Sequence, residues 1–276
     1  MLSNAQKRPG AAAEGPIGVF DSGLGGLTVV AALRRAVPDE SIVYLGDTAR
    51  VPYGTRSPEV VRRYAEGAAR LLLARGAKAL VIACNTASAH ALGALGAHAP
   101  VPVLGVIDAG AQAAAAAAPA GPIGVVATEG TVASGAYPAA ISRHAPDARL
   151  HQVACPLLVP LAEEGLLDHP ASRLLLEEYV APLTRERLAA LLLGCTHYPL
   201  FLPLFQRALG PSVAILDSAT AVAAAVGRLL DQRGLTRKRS NEARLTLLAT
   251  DVTARVQRGA ALFLGAPPPP VELVDL

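Results

Sequence analysis

The sequence predicts an α/β protein: two pseudo-symmetric α/β domains, each with a mostly parallel sheet flanked by helices, and a functional cleft between them. Three observations carry that expectation. Short apolar runs alternate with roughly 10–20 residues of helical pattern along most of the chain, the signature of parallel sheets covered on both faces. The phrase Ala79-Leu80-Val81-Ile82-Ala83-Cys84-Asn85-Thr86 is echoed by Ala190-Leu191-Leu192-Leu193-Gly194-Cys195-Thr196-His197, 111 residues on. Ile17-Gly18-Val19 recurs as Ile123-Gly124-Val125, 106 residues on, and two matches at nearly equal offsets point to an internal duplication.

In chain order, strands are expected at 17–20, 42–45, 80–83, 103–106, 123–127, 150–154, 191–194, 213–216, 245–248 and 271–274. Most are apolar runs bounded by polar or turn-forming residues, as buried strands are. Helical patterns lie between most of them, notably at 58–73, 109–118 and 218–230; the Ala-rich stretch 113–118 suits a tightly packed helix. Residues 1–15 carry no continuous apolar segment and read as a disordered tail rather than a signal peptide. The first domain is then 16–107 with 217–276, and the second is 108–216.

Composition bounds the function. Apolar residues make up 52% of 276, ample for a packed core, and the net charge of +3 is a mild excess. Basic residues gather at Arg233-Gly234-Leu235-Thr236-Arg237-Lys238-Arg239, but no aromatics interleave with them, so a solvated loop is expected rather than a nucleic-acid surface. The uncharged run 79–107 includes Asn85, His90, His98, Pro100 and Pro102, so it reads as strand, helix and strand, not as a membrane span. Three cysteines without a secretion signal imply free thiols and a cytoplasmic location. Apolar helices on a chain of this size are compatible with a homodimer.

The repeated phrases place Cys84 and Cys195 just beyond strand C-terminal ends, where open α/β sheets hold ligands. Two thiols facing one substrate suit proton transfer at a carbon centre, one as base and the other as acid, because an unperturbed thiol titrates at about 8.5. Neither belongs to a Cys-x-x-Cys pair or has a His or Cys at zinc-ligand spacing, which argues against redox or metal chemistry. Cys155, within Val153-Ala154-Cys155-Pro156-Leu157, reads as a core thiol. His197 is placed to tune Cys195. The turn Asp21-Ser22-Gly23-Leu24-Gly25-Gly26 opens a helix and offers N–H groups to an anion, although its spacing is not the dinucleotide fingerprint. Asp21 there would repel a phosphate, yet suits an ammonium group or a thiol proton. The loop Pro52-Tyr53-Gly54 could close one wall of the cleft.

Taken together, Phe20-Asp21-Ser22-Gly23-Leu24-Gly25-Gly26, Gly46-Asp47-Thr48, Pro52-Tyr53-Gly54, Ala83-Cys84-Asn85-Thr86-Ala87-Ser88, Thr128-Glu129-Gly130-Thr131 and Gly194-Cys195-Thr196-His197-Tyr198-Pro199-Leu200 resemble the glutamate racemases of the aspartate/glutamate racemase superfamily. The resemblance runs from about Ile17 to the C-terminus. It implies cofactor-independent interconversion of L- and D-glutamate, with D-glutamate feeding peptidoglycan synthesis, and neither pyridoxal phosphate nor a metal. It gives Cys84 and Cys195 the acid–base roles, with Asp21 assisting Cys84, and His197 and Glu163 assisting on the other side; Glu164 competes with Glu163 for that place. It assigns Asp21, Ser22, Tyr53, Gly54, Asn85, Thr86, Thr131, Thr196 and His197 to substrate binding. An aspartate racemase, or another two-cysteine isomerase of the superfamily, is the nearest alternative. A non-catalytic two-lobed amino-acid-binding protein would have no reason to carry a cysteine in each wall.

Overall fold

A computed structural model describes residues 13–119, 121–238 and 243–276. All ten strands form at the expected places. They are β1 (Ile17–Asp21), β2 (Ile42–Gly46), β3 (Ala79–Ile82), β4 (Val103–Gly105), β5 (Ile123–Ala127), β6 (Leu150–Ala154), β7 (Ala190–Gly194), β8 (Ala214–Asp217), β9 (Leu245–Ala249) and β10 (Val271–Leu273). They pair in parallel throughout, as two sheets of order β10-β9-β2-β1-β3-β4 and β6-β5-β7-β8. The segment β2-β1-β3-β4 and the whole second sheet have the same order, with β5 in the place of β1. The duplication read from short phrases is therefore a duplication of topology, and each cysteine follows the third strand of its repeat.

Buried runs such as Ile17–Asp21 and Ala190–Gly194 are sealed on both faces, which is why they are apolar without alternation. The helices that cover the first sheet include α1 (Leu27–Ala36), α2 (Pro58–Ala74) and α3 (Asn85–His98). The Ser57 hydroxyl accepts from Val60 N at the start of α2, and Pro58 occupies its first turn, where a missing N–H costs nothing. The second half carries α4 (Val106–Ala117), α5 (Glu129–Ala133), α6 (Ala136–His144), α7 (Leu158–Glu163), α8 (Pro170–Thr184) and α9 (Leu202–Leu209). The chain then passes through α10 (Ser218–Arg233), which packs on both α1 and α4, and ends with α11 (Ala254–Leu264) before β10. One apolar cluster runs from Val19 and Leu33 near the first sheet to Leu193, Phe201 and Val222, so the two sheets share a core.

Expected boundaries shift by up to three residues. Residue 106, read as the end of a strand, begins α4 instead, and its N–H donates to Ser88 Oγ at 3.2 Å. The uncharged run 79–107 is β3, α3, β4 and the start of α4, and no described helix is long and apolar enough to cross a membrane. Of the expected tail, residues 1–12 lie outside the described residues. Ala13 and Glu14 are held in place: Lys78 Nζ donates to Ala13 O at 2.6 Å and to Leu235 O at 2.8 Å, and it pairs with Glu40 at 2.5 Å with both side chains 2% exposed. A buried ammonium has to satisfy every N–H it carries, and these acceptors do so. Arg237 turns its guanidinium inward on Glu14 rather than presenting its charge to solvent, and its backbone N–H donates to Glu40 Oε1 at 2.8 Å; Arg239 lies outside the described residues.

Candidate active site

The site lies where the C-terminal ends of β1 and β3 meet those of β5 and β7. Cys84 follows β3 and caps α3, its Sγ accepting from Ala87 N at 3.5 Å and lying 3.6 Å from Ser22 Oγ. Burial pushes this thiol up to about 12; the charge of Asp21 adds to the shift, and the Ala87 N–H and Ser22 hydroxyl oppose it. Cys84 is therefore a neutral thiol at pH 7. Asp21, the last residue of β1, is 1% exposed and takes up the turn's own N–H groups, from Gly23 at 3.1 Å and from Gly26. The sequence offers these donors to an anion; in the fold Asp21 itself occupies them. Burial raises the Asp21 pKa, with His197 the main opposing influence.

The second wall differs. Cys195 follows β7, and its Sγ is 3.8 Å from His197 Nδ1. His197 Nε2 lies 3.3 Å from Glu163 Oε1 at the end of α7, and the ring of Phe263 meets the imidazole edge-on at 5.1 Å. Burial pulls the His197 pKa down, but hydrogen bonds to Cys195 and Glu163, with the charges of Cys195 and Asp21, carry it up to about 10. The ring is an imidazolium at neutral pH, and both its nitrogens are donors.

Between the walls is a cavity of about 20 Å³. Ser22, Cys84, Asn85 and Thr86 line it from the first half, and Cys195, Thr196 and His197 from the second; Tyr53 and Gly54 close a side. Nine residues expected at the site thus meet around one space. The other three stand behind it: Asp21 beneath the β1 turn, Glu163 beyond His197, and Thr131 within a triangle of hydroxyls. In that triangle Thr86 Oγ1 is 2.9 Å from Thr128 Oγ1 and 3.2 Å from Thr131 Oγ1, and the last two are 3.0 Å apart. The Tyr53 hydroxyl donates to Asp47 Oδ2 at 2.5 Å, so its phenol is committed to the fold. Cys155 is fully buried, as expected of a core thiol.

Thr128, Val51 and Val159 also line the cavity and were not expected there. Thr128 follows β5 at its C-terminal end, so the strand-end rule that found the cysteines could have found it; the two valines carry no such signal. A wider cavity of about 250 Å³ adjoins, sharing Val51 and bounded by Glu163 and Asp251. Among the described residues, no group of three His, Cys, Asp or Glu side chains is placed to hold a metal ion.

Two sulfurs in opposing walls, one a buried thiol and the other against an imidazolium, are equipped to take a proton from one face of a carbon and return it to the other. Comparison with known proteins agrees. The family model of the Asp/Glu/hydantoin racemases matches residues 17–226. A curated glutamate racemase of Chlorobaculum tepidum is 45% identical over 264 residues, 95% of this chain and 97% of the relative. The crystal structure of a Bacillus anthracis glutamate racemase superposes with a TM-score of 0.91 at 37% identity, covering 96% of this chain and 98% of that one. That of the Francisella tularensis glutamate racemase in complex with D-glutamate gives 0.89 at 32% identity, covering 95% and 98%. The chain belongs to the Asp/Glu/hydantoin racemase family and, within it, to the glutamate racemases.

Proposed function

We propose that the chain interconverts L- and D-glutamate by a two-base mechanism without a cofactor, and that Cys84 and Cys195 are its acid–base pair. The observation that carries this is the pairing of unlike sulfur environments across one cavity. In one direction the Cys195 thiolate, held against the His197 imidazolium, takes the α-proton: an S–H bond forms, the C–H bond breaks, and its electron pair stays on the substrate. The Cys84 thiol then gives its proton to the opposite face and is left as thiolate. The reverse direction runs from that state. Hydrogen-bond donors at Ser22, Asn85, Thr86 and Thr196 hold the carboxylates and stabilise the charge that spreads onto one of them. Glu163 fixes the His197 ring.

The cavity has room for about one water molecule, which needs ~10–15 Å³. Glutamate is several times larger, so binding requires the walls to part. We assign that movement to two lobes, 16–107 with 217–276 and 108–216. The reading places the enzyme in the cytoplasm, as a homodimer, supplying D-glutamate for peptidoglycan. The decisive measurement is solvent deuterium incorporation at the α-carbon of D-glutamate and of D-aspartate, with the wild type, C84A and C195A. Exchange and racemisation of glutamate alone, with racemisation abolished in both folded variants, is expected. Racemisation by either variant would overturn the two-base assignment, and equal turnover of aspartate would overturn the substrate.

A further inference from the structure

Asn85 lines the cavity and is 3% exposed, yet its Nδ2 has no hydrogen-bond partner. Its Oδ1 is taken: the hydroxyl of Tyr137, on α6 of the other half, donates to it at 2.6 Å. Tyr137 is fully buried, and its hydroxyl is also 3.1 Å from Ser218 Oγ, which in turn is 3.3 Å from Leu193 O in β7. The ring lies against Gly194, where a Cβ would come within 2.8 Å of its Cε2. One tyrosine thus touches the residue after Cys84 and the residue before Cys195.

Proton bookkeeping gives the contact a direction. A phenol has one proton, and an amide can meet a phenol with either end. If Tyr137 donates to Oδ1, the amide NH2 is turned to the cavity, and Ser218 gives its single proton to Tyr137 at 3.1 Å in preference to the more distant Leu193 O at 3.3 Å, which keeps the chain in one sense. If Tyr137 donated to Ser218 instead, the phenol oxygen would accept from Nδ2 and a carbonyl would face the cavity. A carbonyl repels a carboxylate; an NH2 binds one. The distances favour the first arrangement, since the bond to Asn85 is the shorter.

We infer that Tyr137 is a positioning residue: its hydroxyl, oriented by Ser218, locks the Asn85 amide with its NH2 toward the substrate carboxylate. This rests on the reading above that Asn85 binds substrate, and it adds a residue from the opposite half that makes that binding possible. Without the lock the amide turns freely and loses a hydrogen bond to a charged group, an effect of about tenfold or more on substrate affinity.

The test is a double-mutant cycle on the full-length enzyme, with KM and kcat for both enantiomers and a thermal melt for each variant. Y137F is expected to raise KM about tenfold with a smaller change in kcat, N85A to raise it by at least as much, and Y137F/N85A to match N85A alone. Multiplicative effects in the double variant would overturn the inference about Tyr137 while leaving Asn85 as a binding residue. An unchanged KM in N85A would instead sink the binding role of Asn85. Should Y137F fail to fold, S218A keeps the ring packed against Gly194. It is expected to raise KM severalfold in the wild-type background and not at all in the N85A background; an equal rise in both would overturn the proposal.

Discussion

Gly25 offers a direct test of how closely the two walls must meet. It sits in the turn after β1, and a Cβ built on it would lie 2.3 Å from Thr196 Oγ1 and 2.5 Å from His197 Nδ1. Ordinary contacts of such an atom begin near 3.4 Å, so Gly25→Ala must push the Cys195 wall back by about 1 Å. The obstacle is the residue pair that follows Cys195, so the displacement falls on the wall to which the proposed mechanism gives the proton transfer. A misplacement of about 1 Å is worth ~10²-fold in rate. The assay is racemisation followed by the circular dichroism of glutamate, with denaturant unfolding alongside. Gly93, in the middle of α3 with open space where its Cβ would be, is the control. Gly93→Ala is expected to raise stability by about 0.5–1 kcal/mol and leave kcat alone. If Gly25→Ala keeps its kcat within threefold of wild type, the contact between the walls is not what sets the chemistry.

Three further outcomes are expected. His197 has its pKa raised from 6.5 to about 10, so the stability it contributes is fully present below about pH 6.5 and is lost as pH rises through about 10. Unfolding free energies measured from pH 6 to 10 should therefore fall less steeply for His197→Asn, and identical slopes would refute the assignment. Lys78→Met leaves Glu40 as a buried charge with no cation paired to it, held only by the Arg237 backbone N–H, and should cost ~3–5 kcal/mol, with kcat unaffected because both residues lie at the N-terminal ends of their strands, away from the cysteines. A loss under 1 kcal/mol in chemical denaturation would count against it. Cys155→Ala should retain racemisation within twofold, since this thiol belongs to the core; abolished activity in a folded variant would give it a catalytic part.

The inner strands β1, β2, β3, β5 and β7 were legible because each is sealed on both faces, which forces a short, unbroken apolar run. The site was legible in part for the same reason: a strand's end fixes where the next residue can reach, and Cys84 and Cys195 sit at such ends. Glu163 came from the resemblance alone. It reaches His197 from α7 across 34 residues of chain, and no periodicity encodes that contact. Tyr137 was invisible for a similar reason, since in sequence it is one more aromatic on an apolar helix face. Holding Ala13 and Glu14 against the first sheet also escaped the sequence, because it depends on a lysine whose acceptors are scattered from 13 to 235.

The unequal walls carry a thermodynamic consequence. L- and D-glutamate are mirror images with identical free energies in water, so their equilibrium constant is one. The two values of kcat/KM, forward and reverse, must then be equal for the wild type and for every active variant. A buried thiol near Asp21 on one side and an imidazolium pair on the other cannot make the enzyme favour either product. The difference between the walls appears only in how each direction divides one shared kcat/KM between turnover and saturation. The enantiomer with the lower KM is bound to be the one turned over more slowly.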